Sequence, residues 1–151
     1  MITYHNGDIL ESGADVICHQ VNCMGVMGAG LAKQVAKRWS AVYLRFQEVC
    51  MSNNPQVLLG RCQLDRVVCN DKYVQIVSMF AQNDYGRDKC YTNYEAVRSC
   101  MEYVKQQYVG KVIAIPYKIG CGLGGGDWNI VHQIIKDVFA DYDGDVQIWK
   151  L

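Results

Sequence analysis

Proline is nearly absent, two in 151 residues, so no proline-rich linker divides the chain, and it reads as one domain spanning 1–151. Net charge is missing too: 15 basic residues balance 15 acidic ones. That removes the basic footprint a general nucleic-acid binder needs at the level of the whole chain. No apolar run reaches the roughly 18 residues of a membrane span. The opening MITYHNGDIL shows no basic-then-apolar leader. The expectation is an intracellular, cytoplasmic protein. Eight cysteines are present, at 18, 23, 50, 62, 69, 90, 100 and 121, yet no Cys-x-x-Cys pair occurs. Without that paired spacing neither a zinc site nor any other metal is expected. Scattered through apolar runs, the thiols read as reduced and used as small hydrophobes. Internal repeats and low-complexity segments are also missing.

What is present is a strong core signal and two glycine-rich loops. Half the residues are hydrophobic, enough to bury a real core at this length. The stretch from Ile17 to Trp39, ICHQVNCMGVMGAGLAKQVAKRW, runs from a buried-strand pattern into a glycine loop and then an amphipathic helix. The same grammar returns in VIAIPYKIGCGLGGGDWNIVHQII. A helix start leaves backbone N–H groups unpaired and carries partial positive charge. Glycines let a ligand approach those donors, so each segment is an anion cradle. Two cradles in one small domain point to a ligand carrying a diphosphate, held from two sides.

Periodicity places these loops in an α/β frame. Ile2–Tyr4 is a short strand closed by the turn signal Asn6-Gly7-Asp8, and Asp15–Val21 reads as a strand buried on both faces. A helix opens near Ala29 with Leu31, Val35 and Trp39 on one side, and Ser52–Gln56 is a polar loop. Arg61–Cys69 and Lys72–Phe80 flank Asn70-Asp71 as a hairpin, followed by a surface loop over Ala81–Cys90. Thr92-Asn-Tyr-Glu95 matches a capping box ahead of a helix lined by Tyr94, Val97, Met101 and Val104. Lys111–Ile115 is another buried strand. Asp127 is the N-cap of a helix with the stripe Trp128, Val131, Ile134, Ile135 and Val138, and Asp145–Leu151 is the last strand. This alternation predicts an α/β/α sandwich around a mixed, largely parallel sheet, with ligands beyond the strand carboxyl ends.

Several familiar chemistries fail at particular residues. Gly25-Val-Met-Gly-Ala-Gly30 has P-loop glycine spacing, but Leu31-Ala32 stands where Lys and Ser/Thr are needed. Gly120-Cys-Gly-Leu-Gly-Gly125 fits the dinucleotide pattern, yet one helix and one strand are too little to complete a Rossmann unit. Cys121 precedes a helix start, where a thiolate is favoured, but a cysteine phosphatase needs Arg at the position held by Asp127. A Cys121–His19 dyad and a merely packed cysteine both stay open. His132 reads as structural or solvated. Asp8 reads first as a turn residue making an Asx-type bond, with a ligand amino group as the alternative partner. Asn22 ends a buried strand, so its amide must be hydrogen-bonded. Asp127 is a cap, or a carboxylate that orients a water beside the cradle.

Gly7-Asp8-Ile9, His19-Gln-Val-Asn22, Gly25-Val-Met-Gly-Ala-Gly30-Leu-Ala32 and Ile119-Gly-Cys-Gly-Leu-Gly124, in that order, resemble the macrodomain family over nearly the whole chain. The similarity is greatest to the terminal ADP-ribose protein glycohydrolases, the DarG-type antitoxins and the yeast-type ADP-ribose-1″-phosphate phosphatases. It implies a three-layer α/β/α sandwich that binds ADP-ribose. Asp8, followed by Ile9, would accept from the adenine amino group, and Asn22 would contact the distal ribose. Gly28, Ala29 and Gly30 would line the first loop beside that ribose. Gly120, Cys121, Gly122, Leu123 and Gly124 would cradle the diphosphate.

Two departures from that family matter. The glycohydrolase and antitoxin branch uses a lysine at the end of a central strand and an aspartate directly after the Gly-Leu of the second loop; Phe80 and Gly124 stand there in this chain. The implied chemistry then falls to Asp127, orienting or deprotonating a water that attacks the distal ribose C1″ or its phosphate. Asn22 would hold the ribose, and His19 is the remaining polar group. The implied substrates are ADP-ribosylated protein or nucleic acid, ADP-ribose-1″-phosphate and O-acetyl-ADP-ribose, with a non-catalytic reader as the alternative. The expected partner is ADP-ribose or an ADP-ribosylated target, met by a monomer that uses no cofactor and no membrane; nucleic acid enters only as modified substrate.

Overall fold

In the computed structural model, which describes residues 1–151, strict alternation along the strands builds two cores, one on each face of a single sheet. Val16 and Cys18 of strand β2 (Val16–Val21) pack on one side, while Ile17 and Val21 pack on the other. The remaining strands are β1 (Ile2–Asn6), β3 (Cys62–Cys69), β4 (Lys72–Phe80), β5 (Ile113–Pro116) and β6 (Val146–Lys150). They form a six-stranded sheet in the order β1-β6-β5-β2-β4-β3. All neighbours are parallel except β3 and β4. Those two are joined at Asn70-Asp71, whose φ angles of 53° and 62° are the paired left-handed values of a tight hairpin turn.

Helices cover both faces, as the expected sandwich requires. Helices α4 (Tyr94–Gln107) and α5 (Trp128–Val138) bury Val97, Met101, Val104, Val131 and Ile135 against one face. Helices α1 (Gly30–Arg38) and α2 (Ser40–Ser52) bury Val35, Val42 and Phe46 against the other. Helix α2 escapes a reading by periodicity because its buried stripe is only Val42 and Phe46, while Leu44 and Met51 face solvent. Inside the stretch expected as a loop, Asn54 accepts from the Gln56 N–H and Pro55 opens the short helix α3 (Pro55–Leu58).

The expected capping box is displaced by one residue. Asn93, not Thr92, caps α4, its side chain accepting from the Ala96 N–H at 3.0 Å. Thr92 is drawn elsewhere: its hydroxyl donates to the Gly120 carbonyl at 2.6 Å. All eight cysteines are free thiols, and Cys18, Cys23, Cys69 and Cys100 are buried.

Strands β2 and β5 lie side by side at the centre, and the chain leaves them toward opposite halves of the sheet. Such a reversal opens a crevice beyond the strand carboxyl ends. Both glycine loops leave the sheet at that point.

Candidate functional site

The crevice is a cleft of about 470 Å³, and the first glycine loop and the second form facing parts of its wall. Asn22, 7% exposed, shapes the first loop. Its Oδ1 accepts from the N–H groups of Met24 at 2.9 Å and Val26 at 3.3 Å, and its Nδ2 donates to the Val26 carbonyl at 2.8 Å. The buried amide is thereby satisfied by its own loop. Ala29 offers α1 no side-chain cap, and the N–H groups of Gly30, Leu31 and Ala32 have no acceptor in the protein. The helix presents its positive end to the cleft uncovered.

The second loop is arranged in a complementary way. The Gly120 carbonyl accepts from Thr92 Oγ1 and from the Gly126 N–H at 2.8 Å. The Gly122 carbonyl accepts from the Gly125 N–H at 3.0 Å, and the Gly124 carbonyl from the N–H groups of Tyr91 and Thr92 at 2.7 and 3.0 Å. The N–H groups of Gly122, Leu123 and Gly124 have no such partner. A run of committed carbonyls and uncommitted N–H groups is an anion receptor.

Charge around the cleft agrees. Arg87, from the loop after β4, and Lys118, after β5, line it, and neither is in an ion pair. No carboxylate is among the lining residues. A second hollow of about 320 Å³ continues the cleft through the shared Leu31, Pro116 and Tyr117 and reaches Asp8, Ile9, Trp149 and Lys150. Asp8 Oδ1 accepts from the Leu10 N–H at 3.0 Å, capping the turn Ile9–Glu11, and its Oδ2 has no partner in the protein. The Asx turn and an outward acceptor coexist in one carboxylate.

Other expected site residues fall elsewhere. Cys121 is outside the cleft lining; its Sγ donates to the Ile119 carbonyl at 3.3 Å, and burial, helped by Asp127, pushes its pKa up to about 11. A protonated thiol in that setting is a packing group. His19 forms part of the cleft floor but is only 1% exposed, with Nε2 hydrogen-bonded to Ser78 Oγ at 2.7 Å. Burial lowers its pKa to about 4, so it is neutral. The two residues bond to different partners and form no dyad. Asp127 is exposed and outside the lining, with Oδ1 accepting from the Asn129 N–H at 2.9 Å. It caps α5, and the structure does not bring its carboxylate into the cleft. His132 is structural: it stacks on Trp128 and shares a 2.7 Å hydrogen bond with the Tyr4 hydroxyl.

The two departures are fixed by packing. Phe80 is buried and stacks on Phe46 with ring centroids 5.8 Å apart. A Cβ on Gly124 would lie 2.6 Å from Thr92 Oγ1 and 2.8 Å from the Gly120 carbonyl oxygen, so no acidic side chain fits there. Sequence reasoning missed Gln20, Gln82 and Thr92 behind the second loop, and Tyr85, Arg87 and Lys118 in its surroundings. Gln20 had a readable signal, a polar residue in a strand otherwise buried. The cations had none, since their lack of partners is a tertiary fact.

A family model described as Macro domain matches residues 18–135, from β2 to within α5. The chain belongs to the macro domain family. Among curated macro domain relatives, it is 27% identical over 150 residues to a DNA ADP-ribosyl glycohydrolase of Mycobacterium tuberculosis, covering 92% of this chain and 39% of that protein. The chain thus spans about two fifths of that relative's length. It is 26% identical over 162 residues to an ADP-ribose 1″-phosphate phosphatase of Meyerozyma guilliermondii, covering 89% of this chain and 92% of that one. The solved macrodomain of Mycobacterium tuberculosis DarG superposes with a TM-score of 0.84 at 25% identity, over 99% of this chain and 97% of that one.

Proposed function

We propose that this macro domain binds ADP-ribose and hydrolyses an ADP-ribose adduct at the distal ribose. The observation that carries the reading is the meeting of two sets of unpaired N–H groups, from Gly30–Ala32 and Gly122–Gly124, on one cleft that has cations and no carboxylate. In this reading Asp8 Oδ2 accepts from the adenine amino group beside Ile9. The free N–H groups of Gly122, Leu123 and Gly124, with Gly120 beside them, hold the diphosphate, and Asn22 with Gly28, Ala29 and Gly30 surrounds the distal ribose. The relatives support both a glycohydrolase and a phosphatase version of the reaction. The substrate classes are ADP-ribosylated protein or nucleic acid, ADP-ribose-1″-phosphate and O-acetyl-ADP-ribose. The test is a panel of these adducts incubated with the protein and resolved by chromatography; release of ADP-ribose from at least one supports turnover.

A second reading, a reader that binds without turnover, is favoured by three facts. Phe80 is core, Gly124 has no room for a side chain, and the Asp127 carboxylate is committed to a helix cap outside the cleft. It expects ADP-ribose binding with every adduct returned intact.

A further inference from the structure

Behind the second glycine loop, three polar side chains from three different parts of the chain converge on one point. Gln20, on the central strand β2, donates through Nε2 both to Gln82 Oε1 at 2.8 Å and to Thr92 Oγ1 at 2.9 Å. With its oxygen accepting from Gln20, the Thr92 hydroxyl turns its own proton onward to the Gly120 carbonyl at 2.6 Å. Thr92 grips the loop a second time through its backbone, where its N–H donates to the Gly124 carbonyl at 3.0 Å. Both ends of Gly120–Gly124 are therefore tied to one residue. Gln82 extends the linkage, its Nε2 donating to the Asp84 carbonyl at 2.8 Å at the root of the loop that carries Tyr85 and Arg87 into the cleft.

We propose that Gln20, Gln82 and Thr92 are a clasp that sets the conformation of the phosphate-binding loop, and that Gln20 and Thr92 are positioning residues for its anion-binding N–H groups. The inference rests on the reading of the loop as a diphosphate cradle. Free N–H groups bind an anion well only if they converge before it arrives, since otherwise ordering the loop consumes the binding energy. A glycine-rich segment does not hold such a shape unaided. The clasp supplies the shape, and the donor chain through Gln20 and Thr92 polarises each successive bond.

Two further facts favour a role in the loop's shape over simple stability. Gln20 Oε1 is buried without a partner in the protein, so every hydrogen bond of the Gln20 side chain goes to Gln82 and Thr92. The clasp also demands glycine around it: a Cβ on Gly120 would lie 2.6 Å from Gln20 Oε1, and one on Gly124 would lie 2.6 Å from Thr92 Oγ1. The space that an acidic side chain would need at 124 is taken by the clasp.

The experiment compares wild type, Thr92→Val and Thr92→Ser by calorimetry with ADP-ribose, ADP and adenosine, with melting temperature recorded for each. Valine keeps the shape and the backbone N–H but removes the hydroxyl; serine keeps the hydroxyl. Thr92→Val should bind ADP-ribose and ADP about tenfold more weakly, with adenosine nearly unaffected, and Thr92→Ser should recover most of the loss. Gln20→Leu, read the same way, covers the case in which Thr92→Val does not fold. A folded Thr92→Val with wild-type affinity for ADP-ribose overturns the clasp and leaves the reading of the loop standing. Equal weakening of all three ligands without recovery by serine also overturns it. Wild-type protein that binds neither ADP nor ADP-ribose removes the clasp and the reading together.

Discussion

His19 sits buried in β2, hydrogen-bonded to Ser78, and burial holds its pKa at about 4 against an ordinary 6.5. The sign of its effect on stability follows. Between those two values the unfolded chain takes up a proton that the folded chain refuses, so stability is complete above about 6.5 and falls as pH drops toward 4. Urea midpoints measured from pH 7 to 4.5 should decline more steeply for wild type than for His19→Gln; parallel curves would remove His19 from the acid response. At Asp8 the prediction concerns ligand. In the proposed binding mode Asp8→Ala removes one charge-assisted bond to the adenine amino group, and affinity for ADP-ribose should fall about 10- to 100-fold. Unchanged affinity in a folded variant would reject the adenine assignment. Gly124→Asp should lower the melting temperature and weaken ADP-ribose binding because its Cβ collides with Thr92 and Gly120. A stable, more active Gly124→Asp would show that the clasp yields.

At the scale of loops and helices, Gly122 and Asp127 separate binding from scaffolding. A Cβ on Gly122 meets nothing within 4 Å, and its φ is not left-handed. Gly122→Val should therefore fold normally and lose ADP and ADP-ribose while sparing adenosine; equal losses for all three would place the phosphate elsewhere. Asp127→Ala removes the cap of α5 and should destabilise by about 1 kcal/mol while leaving ADP-ribose affinity intact. If turnover is found and falls by about 10²- to 10⁴-fold in that variant, Asp127 reaches the reaction in a conformation other than this one. Elements set by local rules were legible in the chain. The Asn70-Asp71 hairpin, the Asp127 cap and the stripe of α5 all follow from neighbours in sequence. Thr92 was not, because the Thr-x-x-Glu pattern is local and the Gly120 carbonyl that claims its hydroxyl is not. Helix α2 was not, because two buried residues make too narrow a stripe to read.

Across the whole molecule, parallel strands bring the loops after β2, β4 and β5 to one edge of the sheet, and the reversal between β2 and β5 opens the cleft there. The glycine loops announced both walls in sequence, but their facing relation depends on strand order, which spacing alone does not reveal. The account's central claim is that these two loops form one receptor for ADP-ribose. Calorimetric titration of the intact chain with ADP-ribose tests it most directly. The account expects saturable binding of one ligand per chain, tighter than that of adenosine because the diphosphate engages the free N–H groups. No detectable binding, or ADP-ribose bound no better than adenosine, would contradict it.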